Sequence, residues 1–109
     1  MGSMNTTDVK QTIAISSTDT LQKYVGTSAT DIGSARLKAV QAQSSAADAT
    51  VKIYDATDAT TASTLVWEAK FGTAANESFT FYLPQNGIRC KTAMHAVLAN
   101  CDYLVVTFD

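Results

Sequence analysis

The chain has 109 residues, 46% of them hydrophobic, with a formal net charge of −2 and a pI of about 5.1. This length predicts one domain whose core is large enough to fold without disulfides or metal ions. The eight Lys and Arg residues are scattered, which argues against nucleic acid or an anionic membrane as a partner. No apolar run approaches the roughly 18 residues of a membrane span.

The composition favours strands over helices. Ala, Ser and Thr supply 42 of the 109 residues, whereas Glu occurs only twice. Exposed helices normally carry Glu, Lys, Gln and Arg, while Thr, Val, Ile, Tyr and Phe suit pleated sheets. We interpret the start of residues 1–4 as a cloning remnant before a native start at Met4, and we expect no signal peptide. Residues 1–10 are then this remnant plus a flexible arm, and residues 11–109 are the domain.

Alternation of apolar and polar residues recurs from residue 11 and predicts short strands throughout the domain. In chain order the predicted strands span residues 11–16, 21–26, 35–43, 51–55, 64–71, 78–84, 88–90, 94–100 and 103–109. This spacing is typical of sandwiches and barrels. We therefore expect an all-β fold, a single jelly-roll-like β-sandwich of about eight to nine short antiparallel strands.

Two predicted strands differ in how clearly their inward faces are defined. In residues 64–71 the pattern turns Leu65 and Trp67 inward, with Ala69 and Phe71, and turns Val66, Glu68 and Lys70 outward. Residues 35–43 could turn either face to the core near Val40. A helix over residues 34–49 is the competing interpretation, because Ala and Leu suit a helix.

The expected core has two halves, one from each sheet of the sandwich. One half comprises Val51, Ile53, Leu65, Trp67, Phe71, Phe79, Phe81 and Leu83, and the other comprises Ile13, Ile15, Leu37, Leu104, Val106 and Phe108. Between strands, Gly33 is predicted to bend the loop 29–34, and Gly87 to take a positive φ in the turn after Pro84. Residues 100–102 are predicted to close a hairpin between the last two strands.

No motif predicts catalysis, a cofactor or a metal site. His95 is the only histidine, and it alternates with Met94, which favours a structural or solvent-facing position. Asp48, Asp55 and Asp58 lack the glycine and the glutamate of a calcium-binding loop, so we interpret them as turn-capping carboxylates. The prediction is a protein that is not an enzyme and has no catalytic residue, cofactor or metal.

Cys90 and Cys101 are expected to be free thiols, with a disulfide as the alternative. If residues 93–98 and 103–108 form a hairpin, Cys101 lies at its tip and Cys90 beyond its far end. That separation exceeds the roughly 7 Å between Cα atoms that a disulfide tolerates. Free thiols also suit a protein assembled in a reducing cytoplasm.

Exposed tyrosines are the candidate interface residues: Tyr54, Tyr82 and Tyr24. Tyr54 and Tyr82 alternate away from the predicted aromatic core face. Tyr is enriched at protein interfaces and suits sugar-binding surfaces, although it is also an ordinary strand residue. The loop 56–63, "ATDATTAS", has no aromatic or core-forming residue and is predicted to be a surface connection and not the binding site.

Four parts of the chain carry a resemblance to a known class of proteins. They are "RLKAVQAQ" with "ADATVKIYDATDA", then "LVWEAKFGTAANES", "FYLPQNGIRCKTAMHAVL" and "CDYLVVTF". Over residues 33–109 the chain resembles small virion proteins of tailed bacteriophages, particularly those of marine and cyanobacterial phages. In this resemblance the first part is a central hairpin, the second a strand and turn, and the last the closing strand.

The resemblance implies a β-sandwich or jelly roll with a structural role on the virion and no catalytic residues. The first expectation is a head decoration or cement protein that binds the major capsid protein. It would form a homo-oligomer, for example a trimer, and would be assembled into the virion in the host cytoplasm. The alternatives are a tail, neck or fibre component, or a carbohydrate-binding module that recognises host surface glycan through exposed tyrosines.

Overall fold

The computed structural model describes residues 10–58, 64–84 and 86–109. The strands are β1 (Lys10–Gln11), β2 (Asp19–Thr20), β3 (Gln22–Val25), β4 (Ser28–Asp31), β5 (Ala35–Ser44), β6 (Thr50–Tyr54), β7 (Leu65–Lys70), β8 (Ser78–Tyr82), β9 (Ile88–Cys90), β10 (His95–Ala99) and β11 (Cys101–Phe108). The all-β prediction is confirmed, with eleven described strands where about nine were expected. Residues 1–9 of the predicted arm and residues 59–63 of the predicted loop lie outside the described residues.

The strands form two larger antiparallel sheets and one separate hairpin. The first sheet has the order β1-β11-β5-β8, with β9 also paired to β5, and the second has the order β2-β10-β6-β7. Strands β3 and β4 form the hairpin. In the part of the chain that the structure describes, no helix is long and apolar enough to cross a membrane.

Both larger sheets contribute to one cluster of buried side chains. The first sheet supplies residues of β5 and β11, and the second supplies residues of β6 and β10. The largest fully buried side chains that are hydrophobic are Leu21, Leu37, Val40, Val51, Ile53, Cys90, Met94, Leu104 and Val106. Burial of such side chains, at about 25 cal/mol per Å² of apolar surface, is the main stabilising term of the fold.

Five connections between consecutive described strands cross from one of the two larger sheets to the other, and two of them correct an expectation. β10 ends at Ala99 in the second sheet, Asn100 takes a φ of 57°, and β11 begins at Cys101 in the first sheet. The predicted hairpin at residues 100–102 is therefore wrong, because β10 pairs with β6 whereas β11 pairs with β5. The central hairpin implied by the resemblance is not formed either, because β5 and β6 belong to different sheets.

A β-bulge decides which face of β5 is buried. Lys38 lies between Leu37 and Ala39, whose partners on β11 are consecutive residues, so Lys38 is the extra residue of the bulge. An extra residue reverses the alternation of faces, and Leu37 before it and Val40 after it are both fully buried. The sequence left open which face of β5 points to the core. The structure shows that one face does so before the bulge and the opposite face after it. The competing helix over residues 34–49 is not formed.

A second bulge changes the predicted face of β7. Trp67 pairs with Ile53 and Leu65 pairs with Tyr54, which leaves Val66 as the extra residue. Leu65 is 38% exposed, whereas Val66 packs against the core. The predicted inward Leu65 and outward Val66 are therefore wrong at this end of the strand, although the rest of β7 follows the predicted alternation.

The large aromatic side chains expected in the core lie at its side. β7 and β8 are the outermost strands of the two sheets, and their rings pack together across that side. The ring centroids of Trp67 and Phe79 are 6.2 Å apart, and those of Phe71 and Phe79 are 5.0 Å apart. Phe81 lies 5.8 Å from Trp67 and is 44% exposed. This aromatic cluster, Trp67, Phe71, Phe79 and Phe81, flanks a centre that is mostly aliphatic and contains one aromatic ring, that of Phe108.

Gly87 takes the positive φ that the sequence predicts, at 74°. It lies in the turn that leads from β8 to β9, and both of these strands pair with β5. A Cβ atom at this position would overlap the backbone carbonyl of Leu37. Glycine is therefore required here for two reasons, its backbone conformation and the close approach of β5.

The hairpin of β3 and β4 corrects the predicted loop 29–34. Val25 pairs with Ser28 across a two-residue turn in which Gly26 has a φ of 65°. This turn places residues 29–31 in a strand and leaves only the last three residues of that loop outside it. Gly33, with a φ of 67°, still bends the chain as predicted.

Candidate functional site

The outer face of the first sheet carries nine neighbouring side chains without a charge. They are Ala39, Gln41 and Gln43 of β5, Ser78, Thr80 and Tyr82 of β8, and Tyr103, Val105 and Thr107 of β11, which the register arranges in three rows. We term this set the uncharged face. Its members alternate with residues that face the core, and the three rows lie between the two bulges of the β5–β11 pair, where the register is regular.

The outer face of the second sheet differs from it. The equivalent rows of β6, β7 and β10 carry Lys52, Glu68 and Lys70. Lys52 and Glu68 form an ion pair with a nitrogen–oxygen distance of 3.8 Å. Their side chains are 38% and 40% exposed, so the pair contributes little to stability. The contrast shows that the absence of charge belongs to one face and not to both.

Charged residues border the uncharged face at its two ends. Arg36 and Arg89 pair across β5 and β9 at one end, where the bulge residue Lys38 also adjoins Ala39. Asp102 occupies a bulge at the other end, and its Oδ2 accepts a hydrogen bond of 3.0 Å from Nε2 of Gln43. A centre depleted in charge is one feature of protein–protein contact surfaces.

The three tyrosines predicted as interface residues lie on three different sheets. Tyr82 belongs to the uncharged face and is 75% exposed, and Tyr24 on β3 is 65% exposed. Tyr54 lies on the outer face of the second sheet, where its strand partners are His95 and Leu65, and is partly buried. The structure therefore does not gather them into one site.

Sequence reasoning missed the other members of the uncharged face. The alternation of "CDYLVVTF" does place Tyr103 and Val105 opposite the buried Leu104 and Val106. What the sequence did not show is that β11, β5 and β8 are neighbours. Only the pairing of strands far apart in the chain brings Tyr103 onto the same face as Tyr82.

His95 has the structural position that the sequence predicts. Its Nδ1 lies 3.0 Å from Oγ1 of Thr20, and that hydroxyl donates to the carbonyl of Thr57 at 3.1 Å. Within the described ranges, no three His, Cys, Asp or Glu side chains are grouped so that they could hold a metal ion.

Asp55 confirms the predicted capping role for one of the three carboxylates. Its Oδ1 accepts from the backbone N–H of Thr92 at 2.8 Å and of Ala93 at 3.4 Å, and its Oδ2 from that of Lys91 at 3.0 Å. Burial raises the pKa of Asp55, but the three N–H donors and the charge of Lys91 outweigh it, and the pKa lies below its ordinary value. The carboxylate thus fastens the end of β6 to the segment between β9 and β10.

The two cysteines are separate buried thiols. Cys90 pairs with Ala35 at the start of β5, and Cys101 pairs with Ser44 at its end. That length of strand spans about 30 Å, so the prediction of free thiols is confirmed, although the hairpin on which it was based is not formed. Burial, with a smaller effect of Asp55, raises the pKa of Cys90 to about 11. Burial also raises the pKa of Cys101.

A groove of about 550 Å³ lies between the start of the described chain and the β3–β4 hairpin. Its lining combines polar and charged residues with one exposed aromatic ring: Lys10, Gln11, Thr12, Ile13, Lys23, Tyr24 and Val25. Aromatic rings beside hydrogen-bonding groups are the residues that sugar-binding surfaces use. Tyr24 therefore lies in a groove whose lining suits a small polar ligand.

Comparison of the chain with models of protein families, with curated proteins and with solved structures finds no match. The likeness to phage virion proteins therefore stays a prediction from the sequence segments.

Proposed function

We propose that this chain is a non-enzymatic structural protein of a tailed-phage virion, a decoration or cement protein that binds the major capsid protein. In this proposal it occupies the virion in many copies after assembly in the host cytoplasm. Its two larger sheets form a single jelly-roll-like sandwich, which the shared core of both sheets supports. The resemblance over residues 33–109 supplies the phage context.

The uncharged face is the observation that carries the proposal. A decoration protein needs a broad surface complementary to a protein lattice, and such surfaces are poor in charge at the centre and rich in Tyr. Tyr82, exposed at 75%, is a large side chain on this face with area to lose to a partner. Burial of one Tyr at an interface removes about 150 Å² or more from water.

Cosedimentation with capsid shells tests the proposal. We expect the chain to pellet with shells of the major capsid protein and Thr80→Lys to reduce the bound fraction at least tenfold, because the new charge would be buried without a partner. Ala99→Lys is the matched control, since it adds the same charge at an exposed position on the outer face of the second sheet. Equal binding by the two variants would exclude the uncharged face as the contact.

The groove beside the β3–β4 hairpin favours a second candidate function, recognition of host surface glycan by a tail, neck or fibre component or by a carbohydrate-binding module. Its hydrogen-bonding residues Lys10, Gln11 and Lys23 and the exposed ring of Tyr24 support this alternative. Binding to a glycan panel, lost in Tyr24→Ala and retained in Tyr82→Ala, would favour it over decoration. Loss of capsid binding in Tyr82→Ala with no glycan binding would favour decoration.

A further inference from the structure

β7 is the outermost strand of the second sheet, and among the described strands it pairs only with β6. The N–H of Phe71 donates to the carbonyl of Ala49 at 2.9 Å, so the backbone of Phe71 points toward its own sheet. The direction of hydrogen bonding alternates along a strand. The N–H and C=O groups of Glu68 and Lys70 therefore point away from β6, along an edge that another strand can reach.

The side chains along this edge are self-complementary about Ala69. If a second copy of β7 pairs antiparallel with the first about a two-fold axis at Ala69, Glu68 of each copy lies opposite Lys70 of the other. Opposite charges at such positions are favourable. The backbone groups that point away from β6 belong to these same two residues, so the register satisfies the hydrogen bonds and the charges together.

The neighbouring registers are unfavourable. An axis through Glu68 would place two glutamates opposite each other, and an axis through Lys70 would do the same with two lysines. Like charges directly opposite in a sheet are destabilising. The bulge at Val66 lies outside the regular stretch 67–71, whose pairing with β6 is continuous up to Lys70. The sequence of this edge therefore selects one two-fold register.

The aromatic cluster fits the same register. With the axis at Ala69, Trp67 of one copy lies opposite Phe71 of the other, in the closely spaced type of antiparallel pair. Both rings are only partly buried in the single chain, and both contact Phe79. Aromatic pairs in such positions stabilise sheets beyond their buried area. A second copy would thus cover the side of the core that the chain leaves exposed.

We propose that two copies of this chain associate through antiparallel pairing of their β7 strands, with Ala69 on the two-fold axis. The contact joins the second sheets of the two copies and leaves the uncharged face of each first sheet accessible. It is independent of the proposed capsid role, because it rests on the edge of a different sheet.

Sedimentation of the purified chain over a range of concentrations tests the contact. We expect the mass to rise toward twice the 11.6 kDa of one chain. Lys70→Glu places glutamates opposite each other in both symmetric pairs and should weaken the dimer at least tenfold. The exchange Glu68→Lys with Lys70→Glu, made together with Lys52→Glu so that residue 68 keeps an opposite charge on β6, restores opposite charges across the contact and should restore the dimer. Lys23→Glu, with the same change of net charge on the β3–β4 hairpin, should behave as the unaltered chain.

Two further measurements keep the test independent of folding. Lys70→Pro removes an N–H that points away from β6, which an edge strand tolerates, so the variant should keep its circular dichroism and lose the dimer. Trp67 is the only tryptophan, and its emission should shift to longer wavelength as the unaltered chain is diluted. A monomer at every concentration, a trimer that Lys70→Glu does not affect, or an exchange variant that folds but stays monomeric would overturn the proposal.

Discussion

The carboxylate of Asp55 and the backbone N–H of Thr92 are joined by a hydrogen bond of 2.8 Å. The bond connects the end of β6 with the segment that precedes β10, and Ala93 and Lys91 donate to the same carboxylate. The loop that begins at Asp55 is thereby fixed at its start by backbone donors. Residues 59–63 lie outside the described residues, so the prediction that the loop is a surface connection stays a prediction.

Asp55→Asn should lower the stability and flatten its dependence on acid. The folded pKa of Asp55 lies below its ordinary value, so its contribution is complete above about pH 5 and is lost as the pH falls toward the folded pKa. We expect a loss of about 1–3 kcal/mol at pH 7, typical of hydrogen bonds to a charged group. Urea unfolding at several pH values from about 3 to about 7 measures this loss of stability, because that range spans the titration of Asp55. Asp31→Asn, which alters a carboxylate bonded only to the Gln22 side chain among the bonds described, should keep the acid dependence.

Gly87→Ala should destabilise the fold by about 2–4 kcal/mol, because it combines a positive φ with overlap against the carbonyl of Leu37. Gly26→Ala is the matched control, since Gly26 has a similar φ of 65° but open space around it. That control should cost about 1 kcal/mol. Equal losses in urea unfolding would show that β5 does not approach Gly87 closely.

The bulge in β7 reverses the expected order of two alanine substitutions. Val66→Ala should cost about 1–2 kcal/mol because its side chain packs against the core, whereas Leu65→Ala should cost less than about 1 kcal/mol because Leu65 is 38% exposed. Unfolding of both variants in urea compares them. A larger loss of stability for Leu65→Ala than for Val66→Ala would support the regular alternation that the sequence predicts and contradict the bulge.

Both thiols should be unreactive in the folded protein and reactive after unfolding. Cys90 and Cys101 are buried, and burial raises the pKa of each, so little thiolate is present at pH 8. A thiol reagent should modify neither residue quickly under native conditions and both after denaturation without reductant. Two groups that remain blocked in the denatured, monomeric chain would instead indicate a disulfide.

The sequence predicted the positions of the strands more reliably than it predicted which strands pair with each other. Alternation located β5, β6, β7, β8 and β10, and the turn residue Gly87 behaved as expected. The bulges at Lys38 and Val66 could not be foreseen, because each is an extra residue relative to a partner strand that the local pattern does not identify. The change of sheet at Asn100 is also non-local, since a left-handed residue suits a hairpin and a crossing equally well.

The candidate site was predictable only in part, for the same reason. Tyr82 was selected correctly as an outward, exposed residue. Its grouping with Tyr103 and Val105 depends on β5 lying between β8 and β11. Phe81 alternates with Tyr82 and was expected in the core, but it lies on an outermost strand and keeps 44% of its surface exposed. Position within a sheet, which alternation does not report, decided both outcomes.

Electron cryomicroscopy of the intact virion tests most directly the claim that this chain decorates the capsid through its uncharged face. The account predicts repeated density for the chain on the outer surface of the head, with Tyr82, Thr80 and Val105 against the major capsid protein. Density for the chain in the tail or neck only, or on the head with the outer face of the first sheet turned to solvent, would contradict it.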